Sequence, residues 1–73
     1  MKYTLLENFI SSTSYEGIPG EDNHGKFILF PSEMRDIITA SDFLKTESGD
    51  MIQIFEESSE VLNGIRFLKL YYR

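Results

Sequence analysis

Side chains able to do chemistry gather at a few places along this chain. His24 follows Glu21 and Asp22, which sets an imidazole beside two carboxylates, the combination used for acid-base work or for gripping a metal ion. The same stretch is rich in Gly, Pro, Asn and Asp, whose side chains fold back onto their own backbone, so these residues read as turn chemistry. The serines near Tyr15 offer hydroxyl nucleophiles, but no Gly-x-Ser-x-Gly elbow, Ser-x-x-Lys pair or second histidine accompanies them. Glu56, Glu57 and Glu60, together with Asp50, suit a cation or mimic phosphates toward a basic partner; the plainer reading is a charged strand end that keeps an edge soluble. Tyr71, Tyr72 and Arg73 could stack on bases, with Arg66 and Lys69 on phosphate, although tyrosines so placed more commonly fill a core or an interface. No catalytic set, metal-ligand set or cofactor motif emerges. The expectation is a binding module, not an enzyme.

The elements that would hold these groups follow from periodicity and turn signals. Residues 2–10 read as a first strand, with Tyr3 and Leu5 on one face. Residues 11–25 collect Ser, Thr, Gly, Pro, Asn, Asp and Glu and read as a long loop, with turn signals at residues 17–20 and 23–25. Residues 26–30, an unbroken apolar run after the one charge of Lys26, are what a strand covered on both faces looks like. Pro31 ends it and Ser32 is placed to cap a helix, with Glu33 suited to the helix dipole and Met34, Ile37 and Ile38 on one face. Phe43 and Leu44 would extend that stripe unless Ser41 and Asp42 break it. A turn at residues 46–50 leads to a strand over residues 51–55 ending at Glu56 and Glu57, and Asn63-Gly64 signals a hairpin into a last, central strand, Ile65–Tyr72. The expected fold is α+β, in the order β-β-α-β-β, as a single domain over residues 1–73.

A chain of 73 residues buries only about 60% of its unfolded surface. Such small folds lean on disulfides, a metal or a partner. Zero cysteines and one histidine remove the first two, leaving oligomerisation. A hydrophobic content of 41% is too high for a disordered tail. No run is long enough to span a bilayer and no signal-peptide pattern opens the chain, so a cytoplasmic location, with no membrane partner, is expected. Twelve acidic against seven basic residues favour basic partners over phosphate backbones.

From Asp22 onward the motifs fall in a recognisable series. Asp22, Gly25 and Lys26 precede the apolar strand; Pro31, Glu33, Met34 and Arg35 follow it; then come Gly49, Asp50, Ile52 and Ile54, and a final apolar strand from Ile65. In this the chain resembles the swapped-hairpin family of AbrB and MazE. The resemblance implies an obligate homodimer that acts as a DNA-binding transcription regulator or as an antitoxin, with Lys26 and Arg35 at the positions where the family places basic side chains near DNA. Residues 3–25 contain no Lys or Arg, which weighs against a phosphate-binding surface. The alternative is a small acidic inhibitor, such as a phage or mobile element would encode, that covers a basic surface of a host protein with Asp50, Glu56, Glu57 and Glu60. Charge placement separates the two.

Overall fold

Hydrogen bonding between neighbouring extended segments organises almost the whole chain. The computed structural model describes residues 1–7, 10–39, 41 and 43–73. These form β1 (Lys2–Glu7), β2 (Ile10–Glu16), β3 (Ile18–Asp22), β4 (Gly25–Pro31), a 3-10 turn (Ser32–Met34), the single-turn helix α1 (Arg35–Ile38), β5 (Phe43–Lys45), β6 (Met51–Leu62) and β7 (Ile65–Tyr72). The strands join one sheet in the order β2-β1-β5-β6-β7-β4-β3, every neighbouring pair antiparallel. Asn63 and Gly64 take positive φ values of 52° and 78°, the backbone that a two-residue turn needs to follow the strand twist.

Gly17 decides how this sheet closes. It alone separates β2 from β3, the two outermost strands, so the ends of the sheet are tied together by one residue and the sheet must curl. Its N–H donates to the Met1 carbonyl at 2.9 Å, and its carbonyl accepts from the Met1 ammonium at 3.1 Å. A methyl group here would lie 2.7 Å from Ile28 Cγ2 and 3.0 Å from the Phe30 ring. Only glycine lets the corner press this closely on the core.

Curling brings β1 over β4, and the rings of Tyr3 and Phe30 meet edge to face at 5.8 Å. Around them the interior gathers Leu5, Ile28, Leu44, Ile52, Leu68 and Leu70. After Pro31 stops β4, the helical turns fold across the core and insert Ile38, which is 1% exposed. Strand alternation sends Phe27, Leu29, Phe67, Lys69 and Tyr71 to the opposite face, where Leu29, Lys69 and Tyr71 are also buried. Both faces of β4 and β7 are therefore covered along much of their length, which accounts for apolar residues on both sides of each strand.

The expected α+β fold in the order β-β-α-β-β is replaced by a nearly all-β sheet. The largest difference is at residues 11–25, read as a loop and found as two strands. Its hydroxyl side chains suit an exposed edge strand, as in the cross-strand pair of Thr4 Oγ1 with Ser14 Oγ at 2.8 Å. Pro19 fits β3 because that strand is an outermost one and lacks a neighbour on one side. Ser32 makes no capping hydrogen bond, and the helical segment is only α1 and its preceding turn. Ser41 Oγ ends it by bonding to the carbonyls of Leu6 and Phe43, both at 2.8 Å, while Phe43 and Leu44 enter β5. Ile37, expected on the apolar stripe, is exposed. The strand expected to end near Glu56 instead continues to Leu62. Asn8, Phe9 and Asp42, used in the sequence reading, lie outside the described residues.

Candidate functional site

The hairpin of β6 and β7 carries most of the charged side chains singled out in the sequence. On the outer face, Lys69 is 8% exposed, and such burial requires partners for its charge. Its ammonium donates to Asp22 Oδ2 at 2.8 Å and approaches Glu60 Oε1 at 3.5 Å, above the Phe27 ring at 4.3 Å. Tyr71 donates its hydroxyl to the same Asp22 oxygen at 2.8 Å, while Asp22 Oδ1 accepts the backbone N–H groups of His24 and Gly25 at 2.8 and 3.2 Å. Hydrogen bonds from Lys69 and then from Tyr71 hold the Asp22 carboxyl well below the usual carboxylate range. The same bond to Asp22 raises Lys69, and acceptance by Asp22 with burial raises Tyr71. Asp22 thus closes the turn between β3 and β4 and pins it to β7. Among the described residues no buried side-chain polar atom lacks a partner, so this network is complete without a ligand.

Above this network lies an aromatic group. The His24 ring meets Tyr71 at 4.5 Å, and the Arg73 guanidinium lies 4.5 Å over Phe55. His24 Nε2 is 3.0 Å from Glu56 Oε1. Gly20, opposite Phe27, lies under that ring, where an added methyl would come within 2.5 Å of it. Lys69 and Tyr71 are consumed inside the fold, so the base-stacking arrangement considered for the C-terminal aromatics is not assembled.

The outward edge of β6 is a different kind of surface. β5 is three residues long and pairs only with residues 51–53 of β6. Among the described residues no strand pairs with that side of residues 54–62. The hydrogen-bond phase says which groups face out. In a two-residue hairpin Leu62 and Ile65 form the closing bonded pair, and bonded pairs then recur at every second residue: Glu60 with Phe67, Ser58 with Lys69, Glu56 with Tyr71. Glu57, Ser59 and Val61 therefore turn their backbone N–H and C=O groups toward the open edge. Past the bulge between Ile54 and Glu56 the phase shifts, in agreement with Gln53 exchanging both backbone bonds with Arg73. Between this edge and the helical turns run two hollows: one of about 200 Å³ beside Ile38, Thr39 and Ser41, and one of about 430 Å³ beside Ser32 and Arg35.

The acidic residues named in the sequence are only partly brought together. Glu56 and Glu60 share the outer face and Glu57 lies on the other, all three on β6 and each with a basic neighbour: His24, Lys69 and Arg35, the last at 2.5 Å from Glu57. Asp50 stands apart in the preceding turn, where it accepts from Ser48 Oγ at 3.0 Å. Lys26 and Arg35 flank opposite ends of β4, with Lys26 and Pro31 about 17 Å apart along an extended strand. Among the described residues no group of His, Asp and Glu converges to hold a metal ion, and no helix is long and apolar enough to cross a membrane. The open edge itself escaped sequence reasoning. Its signal was present, since a tight turn at Asn63-Gly64 obliges a partner strand about as long as Ile65–Tyr72. Compared with known proteins, the chain matches no family model, no curated protein and no solved structure.

Proposed function

We propose that this chain is a cytoplasmic, non-enzymatic binding module that takes up a basic, extended segment of another protein along the open edge of β6 and so masks it. The observation that carries this reading is the edge itself: among the described residues no strand pairs with one side of residues 54–62, which bear Glu56, Glu57 and Glu60. An extended peptide adds to such an edge through main-chain hydrogen bonds, and its side chains select it. Glu56 and Glu60 favour Lys or Arg on the outer face. The Glu56–His24 pair is about half exposed and weak, and Glu60 only approaches Lys69 at 3.5 Å while that ammonium keeps Asp22 as its closer partner, so exchange for a partner's cations costs little. The exposed Val61, Leu62 and Ile65 at the hairpin tip supply apolar surface that a partner would cover.

The reading as a DNA-binding homodimer has less behind it. Lys26 and Arg35 are separated, Arg35 is held by Glu57, and one chain assembles a buried interior from five of its own strands and α1. The experiment is a titration with a synthetic peptide of alternating Lys and Val, followed by backbone amide shifts. Shifts centred on Glu57, Ser59 and Val61, with association slowed at least tenfold by Glu56→Lys with Glu60→Lys, are expected; shifts elsewhere or an unchanged on-rate would refute it. Light scattering addresses the dimer: copies pairing edge to edge would align like charges, so a mass of 8.5 kDa at low salt is expected.

A further inference from the structure

The larger hollow beside β6 has a lining unlike the rest of this acidic molecule. Arg35 reaches it from the helical turn and Arg66 from β7; the hydroxyl-bearing Ser32 and Ser59 line it from either side, and Leu68 is part of its wall. Arg66 has no ion-pair partner among the described residues, while Arg35 is held by Glu57 on the wall of the same hollow. The lining therefore carries two guanidinium groups against one carboxylate, in a chain whose net charge is −5.

We propose that this hollow is a binding site for a phosphate group. Guanidinium forks pair with phosphate oxygens through parallel charge-assisted bonds, and two forks with two hydroxyls offer donors around a tetrahedral oxyanion, where a flat carboxylate uses only one fork. A volume of about 430 Å³ admits a phosphate with part of the molecule that bears it. Glu57 acts as the internal competitor that keeps Arg35 oriented when the site is empty. It yields when a doubly charged anion arrives, because the phosphate outweighs a single carboxylate. The charges that would select the two ligands lie on opposite faces of β6, Glu56 and Glu60 on one and Glu57 on the other, while Ser59 borders both the hollow and the open edge.

The test uses the full chain, with inorganic phosphate as the probe and the Nε–H signals of Arg35 and Arg66 and the amide of Ser59 as the readout. Phosphate should shift all three with one affinity. Arg66→Ala should weaken that affinity at least tenfold, and Arg66→Lys should fail to restore it because the point charge lacks the fork. Glu57→Gln should tighten binding by freeing Arg35, a gain that a damaged fold would not produce. Arg66 is exposed, so its variants should keep the dispersed amide spectrum of the sheet. Unmoved guanidinium signals, an Arg66→Ala variant that binds phosphate normally, or acetate binding as tightly as phosphate would each overturn the assignment. A phosphoserine peptide and a nucleoside monophosphate, compared in the same assay, identify which phosphate bearer the site prefers.

Discussion

Substituting proline at two adjacent positions of β6 tests the hydrogen-bond phase on which the open edge rests. Ser58 opposes Lys69 as a bonded pair, so its N–H is directed at the Lys69 carbonyl; Ser59 opposes Leu68 and directs its N–H outward. Ser58→Pro removes a ladder bond worth about 1 kcal/mol and leaves the Lys69 carbonyl without its donor, for about 1–3 kcal/mol more. The expected loss is roughly 2–4 kcal/mol, from a total of roughly 4–11 kcal/mol for a domain of this size. Ser59→Pro removes a donor that no strand among the described residues uses and sits where proline is tolerated, on the solvent side of an edge; it should cost about 1 kcal/mol or less. Urea unfolding at fixed pH measures both. In thermal scans Ser58→Pro should lower Tm by roughly 10 °C or more, with Ser59→Pro shifting it by only a few degrees. Equal losses at the two positions, or the reverse order, would refute the phase and with it the outward orientation of Glu57, Ser59 and Val61. Ser59→Pro should also abolish peptide capture while the fold survives.

Two further outcomes follow from the packing. Gly17→Ala sets a methyl 2.7 Å from Ile28 Cγ2, an overpacking that should cost about 1–3 kcal/mol by denaturant unfolding; an unchanged midpoint would show that the corner has room. Because Asp22 ionises below its unfolded-state value, its stabilisation is present above a pH of about 3.9 and is lost as the pH falls through the depressed value. Asp22→Asn should therefore lower stability at pH 7 and flatten the acid limb of the stability profile, and an acid limb of unchanged slope would remove Asp22 as its source.

Legibility in the sequence tracked how local the governing interaction was. The turn at Asn63-Gly64 and the strand Ile65–Tyr72 were readable because positive φ and a run of apolar residues leave few alternatives. The strand over residues 26–30 was readable for the same reason and lies within β4. Residues 11–25 were misread because their Ser, Thr, Gly and Pro content is shared by loops and by exposed edge strands, and only pairing with β1 and β4 separates the two. The helix was overestimated because Met34, Ile37 and Ile38 fit a helical stripe, whereas Ser41 bonded to two backbone carbonyls and released Phe43 and Leu44 to β5.

By itself, the sequence determined the chemistry available: an acidic, cysteine-free chain with one histidine and a hairpin with a fixed turn. The tertiary structure decided which of those groups remain on offer. Lys69 and Tyr71 could have faced a ligand, but the turn between β3 and β4 brings Asp22 onto them, and a buried ammonium keeps its charge only by binding such partners. Arg35 and Arg66, 31 positions apart in the chain, came to line one hollow because the turn after β4 packs beside β7. The open edge exists because β5 has only three residues beside a strand of twelve. Strand composition does not encode that mismatch; it arises when the sheet assembles and the shorter strand runs out of backbone to pair.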